Sequence, residues 1–130
     1  MNPSQELFDQ LMIECENLGY TVYDHLPLES ENAEYPFIAM GMTQLLPVTY
    51  KDALGGRISQ TLDMWGDAES RPLVTKVINQ LSLLGARTIR TKHFHFVGRP
   101  AAQDQQVLTD TSVPDTVLYH GVFTLVFNLS

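Results

Sequence analysis

Apolar residues recur every three to four positions in two stretches of this chain and at every second position in several others. Leu7, Phe8, Leu11, Met12, Cys15 and Leu18 share one side of a helical wheel, which predicts a helix over Ser4 to Leu18 that Gly19 stops. Leu73, Val74, Val77, Ile78, Leu81 and Leu84 repeat that geometry, and predict a second helix over Glu69 to Leu84, followed by Gly85. Asp67 and Ser70 supply acceptors for its start, and Pro72 suits a first turn. Each helix offers one apolar stripe, and two such stripes need a sheet to cover.

Period-two alternation supplies that sheet. Arg57 to Trp65 alternates polar and apolar residues strictly, as a half-buried strand does. Phe37 to Val48 is rich in strand formers, with Pro36 at its entry where no ladder donor is needed. Further strands are expected at Tyr20–Tyr23, at Thr91–Val97 and at Thr116–Phe127, with a short one around Gln105–Leu108. The Thr116–Phe127 segment is apolar on both faces for much of its length, so it is expected to be central or covered on both sides. The expected fold class is α+β. A largely antiparallel sheet is covered by two amphipathic helices, with a projecting β-hairpin arm, in a single domain over residues 1–130.

The arm is the part with a functional reading. Leu45 to Gly56 reads as a long loop joining two strands that a tight turn could have joined. Leu45, Leu46, Val48, Tyr50 and Leu54 make it too apolar for a disordered segment. With Lys51 and Arg57, these residues are the candidate subunit interface; the alternative is an extended hairpin or a loop folded back on its own core.

Composition narrows the rest. A net charge of −7, from 8 basic and 15 acidic residues, argues against a nucleic-acid binder, because phosphate affinity comes from clustered Lys and Arg. The single cysteine, Cys15, forms no internal disulfide and reads as a small buried hydrophobe. No apolar run approaches the roughly 20 residues needed to cross a bilayer, and the N-terminus lacks a signal pattern, so synthesis in a cytoplasm is expected.

Candidate chemistry is sparse. His93 and His95 would point to one face of a strand. His120 with Asp110 or Asp115 could extend them towards a metal set, but the dense spacing of a zinc site is missing. Asp63 lies on the polar side of its strand with Ser59 and Thr61, and reads as an ordinary carboxylate. Trp65 reads as a packing anchor at a strand end. No nucleophile elbow, phosphate loop or dinucleotide fingerprint occurs. The expectation is a structural protein, not an enzyme, with no catalytic residue, metal or cofactor. The runner-up is a small-molecule-binding or regulatory α+β domain.

The amphipathic first helix, the Tyr35-Pro36-Phe37-Ile38 strand with its arm, Asp63-Met64-Trp65, Asp110-Thr111-Ser112 and Leu118-Tyr119-His120-Gly121-Val122 together resemble a known group. They are similar to the tail-completion and tail-terminator proteins of long-tailed phages, in particular to a minor tail protein family of phages and prophages of Gram-positive bacteria. The resemblance implies a virion protein, made in the host cytoplasm, that rings the head-proximal end of the tail tube in about six copies. Its implied partners are the tail-tube protein and the head–tail connector, with DNA passing through unbound. An acidic lumen would suit that passage, from Asp63, Asp67 and Glu69 or from Asp104, Asp110 and Asp115.

Overall fold

Helix α1 runs from Pro3 to Asn17 and is opened by Asn2, whose side-chain oxygen accepts the Gln5 N–H at 3.2 Å. Pro3 costs it nothing, since a first-turn N–H has no helical partner. Its Leu7, Leu11 and Cys15 are buried, and Gly19 ends it with φ of 97°. Helix α2 spans Arg71 to Leu84 and buries Val74, Val77, Ile78, Leu81 and Leu84. It starts later than Glu69 because Asp67 organises the turn before it. The Asp67 carboxylate accepts the Glu69 N–H at 3.1 Å and the Ser70 hydroxyl at 2.7 Å.

These elements come from a computed structural model that describes residues 2–27, 33–50, 53–112 and 115–129; over 47–50 and 53–55 the backbone course alone is described. Among the described residues, seven strands form one curled sheet: β1 (Val22–Tyr23), β2 (Phe37–Tyr50), β3 (Ala53–Gly66), β4 (Thr88–Arg90), β5 (His95–Gly98), β6 (Asp104–Asp110) and β7 (Leu118–Leu129). The order is β1-β2-β3-β7-β5-β4, with β6 also paired to β7. Among the described residues only β1 and β2 run parallel, and every other pair is antiparallel. The fold is α+β, and the doubly apolar β7 is central, flanked by β3 on one side and by β5 and β6 on the other.

Three strands differ from the alternation reading. Leu45 to Gly56 is mostly strand, not loop: β2 and β3 stay in register out to Tyr50 opposite Ala53. Pro47 is tolerated there because β2 is an outer strand beyond its short pairing with β1. Thr91–Val97 is not one strand. The Thr91 N–H bonds the Phe94 carbonyl at 2.9 Å and turns the chain, so β4 and β5 form a hairpin in its place. Strand β6 is longer than Gln105–Leu108 because all seven of its residues pair with β7.

Both helices pack on one face of the sheet. Ile38, Met40, Ile58, Leu62, Met64, Phe123, Leu125 and Phe127 point towards them, and all join one core cluster with Leu7, Leu11, Val77 and Leu81. Gly121 lets α2 press onto β7, since a Cβ there would lie 3.0 Å from both Ile78 and Val74. Buried Gln60 is the polar exception in that face. It sits where the β2–β3 register shifts between Met40 and Thr43. Its amide donates to the Gly41 and Thr61 carbonyls at 3.1 and 3.0 Å, and its oxygen accepts from the Thr43 hydroxyl. The side chain thus satisfies groups that the bulge leaves unpaired.

Candidate assembly surface

Strand β2 carries no charged residue from Phe37 to Tyr50. Among the described residues its outer edge pairs with β1 only at Ile38 and Ala39, so the edge is open from Gly41 onward. Such edges in single-chain proteins are usually guarded by Lys, by charge or by very short length. This one presents apolar side chains instead: Met42 is 67% exposed, Leu45 45% and Leu46 46%. The pair β2–β3 also runs beyond the described end of β7, where Leu129 lies opposite Gly56, so, among the described residues, residues 53–55 pair with β2 alone. That overhang is the projecting arm.

Of the residues expected to build the interface, Leu45 and Leu46 stand exposed at the base of the arm. Val48, Tyr50 and Leu54 lie in the overhang by their backbone, and Lys51 lies outside the described residues. Arg57 is opposite Leu46, on the sheet face away from the helices. Paired residues share a face, so Asp63, Trp65, His120 and Arg57 lie on that face together, as do Leu108 and Asp110 of β6.

This second face is polarised along the strands. At the end near α2's start, His120 lies flat on Trp65, with ring centroids 3.9 Å apart and planes 12° apart. His120 Nε2 is 2.6 Å from Asp63 Oδ1. A Cβ at Gly41 would meet the other Asp63 oxygen at 2.8 Å, so glycine on β2 makes room for this carboxylate. The side-chain and backbone hydrogen bonds of Ser112 hold the Asp110 carboxyl below its ordinary pKa, against desolvation and with help from His120. Phe37 extends the aromatic end, edge-on to Tyr23 at 5.5 Å and stacked on Tyr35 at 5.4 Å. At the arm end the character reverses. Arg57 pairs with Asn128, and the Arg99 N–H bonds the Val126 carbonyl at 2.9 Å. Both guanidinium groups have a buried Nε without a hydrogen-bond partner, as does the Trp65 indole N–H.

The other candidates are dispersed. His93 is held by α1: its N–H donates to Glu6 at 3.2 Å and its Nδ1 lies 2.8 Å from the other Glu6 oxygen. Desolvation raises the Glu6 pKa, but hydrogen bonds from Thr91 and His93, with the His93 charge, outweigh it and leave the carboxyl below its ordinary value. His95 is exposed at the start of β5, on a different element from His120. The two-histidine strand face therefore does not form, because the turn at residues 91–94 separates His93 from β5. Among the described residues no three His, Cys, Asp or Glu side chains come together as metal ligands. Cys15 is fully buried, and burial, with Glu14 and Glu16 nearby, pushes its thiol up to about 12. Asp67 and Glu69 are exposed at the β3–α2 turn, and Asp115 is exposed with φ of 57°. Sequence reading missed the Asp63–His120–Trp65 set. The signal was the register of two strands, which alternation alone does not specify.

No protein-family model matches the chain, and no curated protein matches it. The fold is similar to that of a chain in the solved structure "Virion of native gene transfer agent (GTA) particle". The TM-score is 0.51, with 16% identity over 85% of this chain and 81% of that one.

Proposed function

We propose that this chain is a structural component of a phage-like virion, without enzymatic activity. It acts as a ring of about six copies at the head-proximal end of the tail tube. The observation that carries the reading is the open edge of β2, uncharged from Phe37 to Tyr50, where Met42, Leu45 and Leu46 stand exposed beside the β2–β3 overhang. The fold shared with a virion chain supports it. In this role Leu45, Leu46, Val48, Tyr50, Lys51, Leu54 and Arg57 contact the next copy. The tail-tube protein and the head–tail connector are the partners on either side, and DNA passes through the ring without specific binding. The net charge of −7 favours passage over retention, since like charge repels phosphate.

The test is to delete the gene from its phage or prophage and image the particles. Tails without heads, or tails of uncontrolled length, are expected, with rescue by the intact gene. Normal infectious particles from the deletion strain would overturn the reading.

A further inference from the structure

We infer that β2 of one copy is extended by β6 of the next, so that a single antiparallel sheet runs from subunit to subunit. The inference rests on the ring reading and adds to it the partner of the open edge.

Among the described residues, two long edges of the sheet are without a partner strand. One is the outer edge of β2 beyond Ala39; the other is the outer edge of β6, which among the described residues pairs only with β7. The remaining outer strands are short: β1 has two residues, and β4 has three and carries Arg90, with Arg87 and Lys92 beside it. Charge and shortness guard that edge. Strand β6 has seven residues and no Lys or Arg, and the exposed segment of β2 has none either.

Strand directions agree with the pairing. β2 is antiparallel to β3, β3 to β7, and β7 to β6, so β6 runs opposite to β2. Rotation about an axis along the strands preserves direction and brings β6 of the next copy antiparallel to β2. The two edges differ, so the contact is heterologous: it cannot make a two-fold dimer, and it gives the ring of the proposed function when the rotation closes.

Side chains agree as well. Leu46 and Leu108 lie on the same sheet face and are each 46% exposed, so the new ladder would bury one against the other. Arg57 is beside Leu46, with a buried Nε lacking a partner. Asp110, two residues along β6 from Leu108, lies on that same face, so the pairing sets this carboxylate of the next copy on the side of Arg57. A chain of net charge −7 thereby brings one of its surplus carboxylates to the side of a guanidinium whose Nε lacks a partner.

Cysteine pairs test this. Leu46→Cys is combined in turn with Gln106→Cys, Leu108→Cys or Asp110→Cys in one chain, since opposite residues of an antiparallel ladder lie within disulfide reach. Mild oxidation should give a reducible ladder of covalent multimers for one of the three. The single variants should stay monomeric on the same denaturing gel. Native mass spectrometry of each variant reports the ring separately. A ring with no ladder from any pair overturns the edge pairing and leaves the ring intact. Monomers at every concentration, with no ladder, sink both. Dimers from Leu46→Cys alone would show β2 meeting β2, and would also overturn the pairing.

Discussion

Gln60 reaches across the β2–β3 pair to the carbonyl of Gly41, 3.1 Å away, at the one step where the two strands lose register. The bond replaces a ladder bond that the bulge removes, inside an otherwise apolar face. Gln60→Leu should therefore destabilise the chain although it adds apolar surface. It strands the Gly41 and Thr61 carbonyls and the Thr43 hydroxyl at a cost of about 2 kcal/mol. Urea unfolding measures it; an unchanged midpoint would mean the bulge needs no side-chain partner.

Glu6 predicts a pH dependence. Its carboxyl is held below its ordinary value in the folded chain by Thr91 and His93, whose hydrogen bonds and charge outweigh desolvation. A depressed carboxylate adds stability above the unfolded value, about pH 4, and loses it as pH falls through the folded value. Glu6→Gln should lower the unfolding midpoint at neutral pH, and the gap to the parent should close in acid. A gap that is constant with pH would assign the effect to packing.

Cys15 should resist thiol reagents. With the thiol pushed up to about 12 and fully buried, labelling at neutral pH has to await unfolding. The labelling rate should be at least about a thousandfold lower in buffer than in urea. Fast labelling of folded protein would place α1 off the sheet for much of the time.

Shortening the arm separates folding from assembly. Leu46 and Arg57 are directly paired, so replacing residues 47–56 with Asn-Gly leaves a two-residue hairpin of favoured type. The variant should fold within about 1 kcal/mol of the parent and fail to form rings. Infectious tails completed by the shortened chain would remove the arm from the interface.

Duplex DNA should not be retained. At about 0.15 M salt a filter or gel assay should give no complex with the intact chain, whether ring or monomer. Tight binding would replace the passive conduit with a gripping role, and Arg57 and Arg99 would be the first residues to change.

Much of the fold was legible because its signals are local. Leu7, Leu11 and Cys15 on one helix, and Val74, Val77 and Leu81 on the other, repeat at helical spacing and are the residues found buried. The doubly apolar Thr116–Phe127 stretch pointed to a strand central in the sheet or covered on both sides, and β7 is central. What the alternation could not show was who faces whom. Trp65 reads as an anchor from its position, but its stacking on His120 depends on the β3–β7 register. The arm was misread in part because Pro47, Gly55 and Gly56 signal a loop locally, whereas pairing with the opposite strand carries them as sheet.

Strand β7 also imposes an order of events on synthesis. It holds β3, β5 and β6, and it follows all three along the chain. While the polypeptide is being made, those strands emerge with no seam between them, and the β6 edge has no sheet to belong to. A product that stops before β7 keeps only its β1–β2, β2–β3 and β4–β5 pairings. The sheet becomes one piece with the last strand to leave the ribosome, so completion of the fold reports completion of the chain.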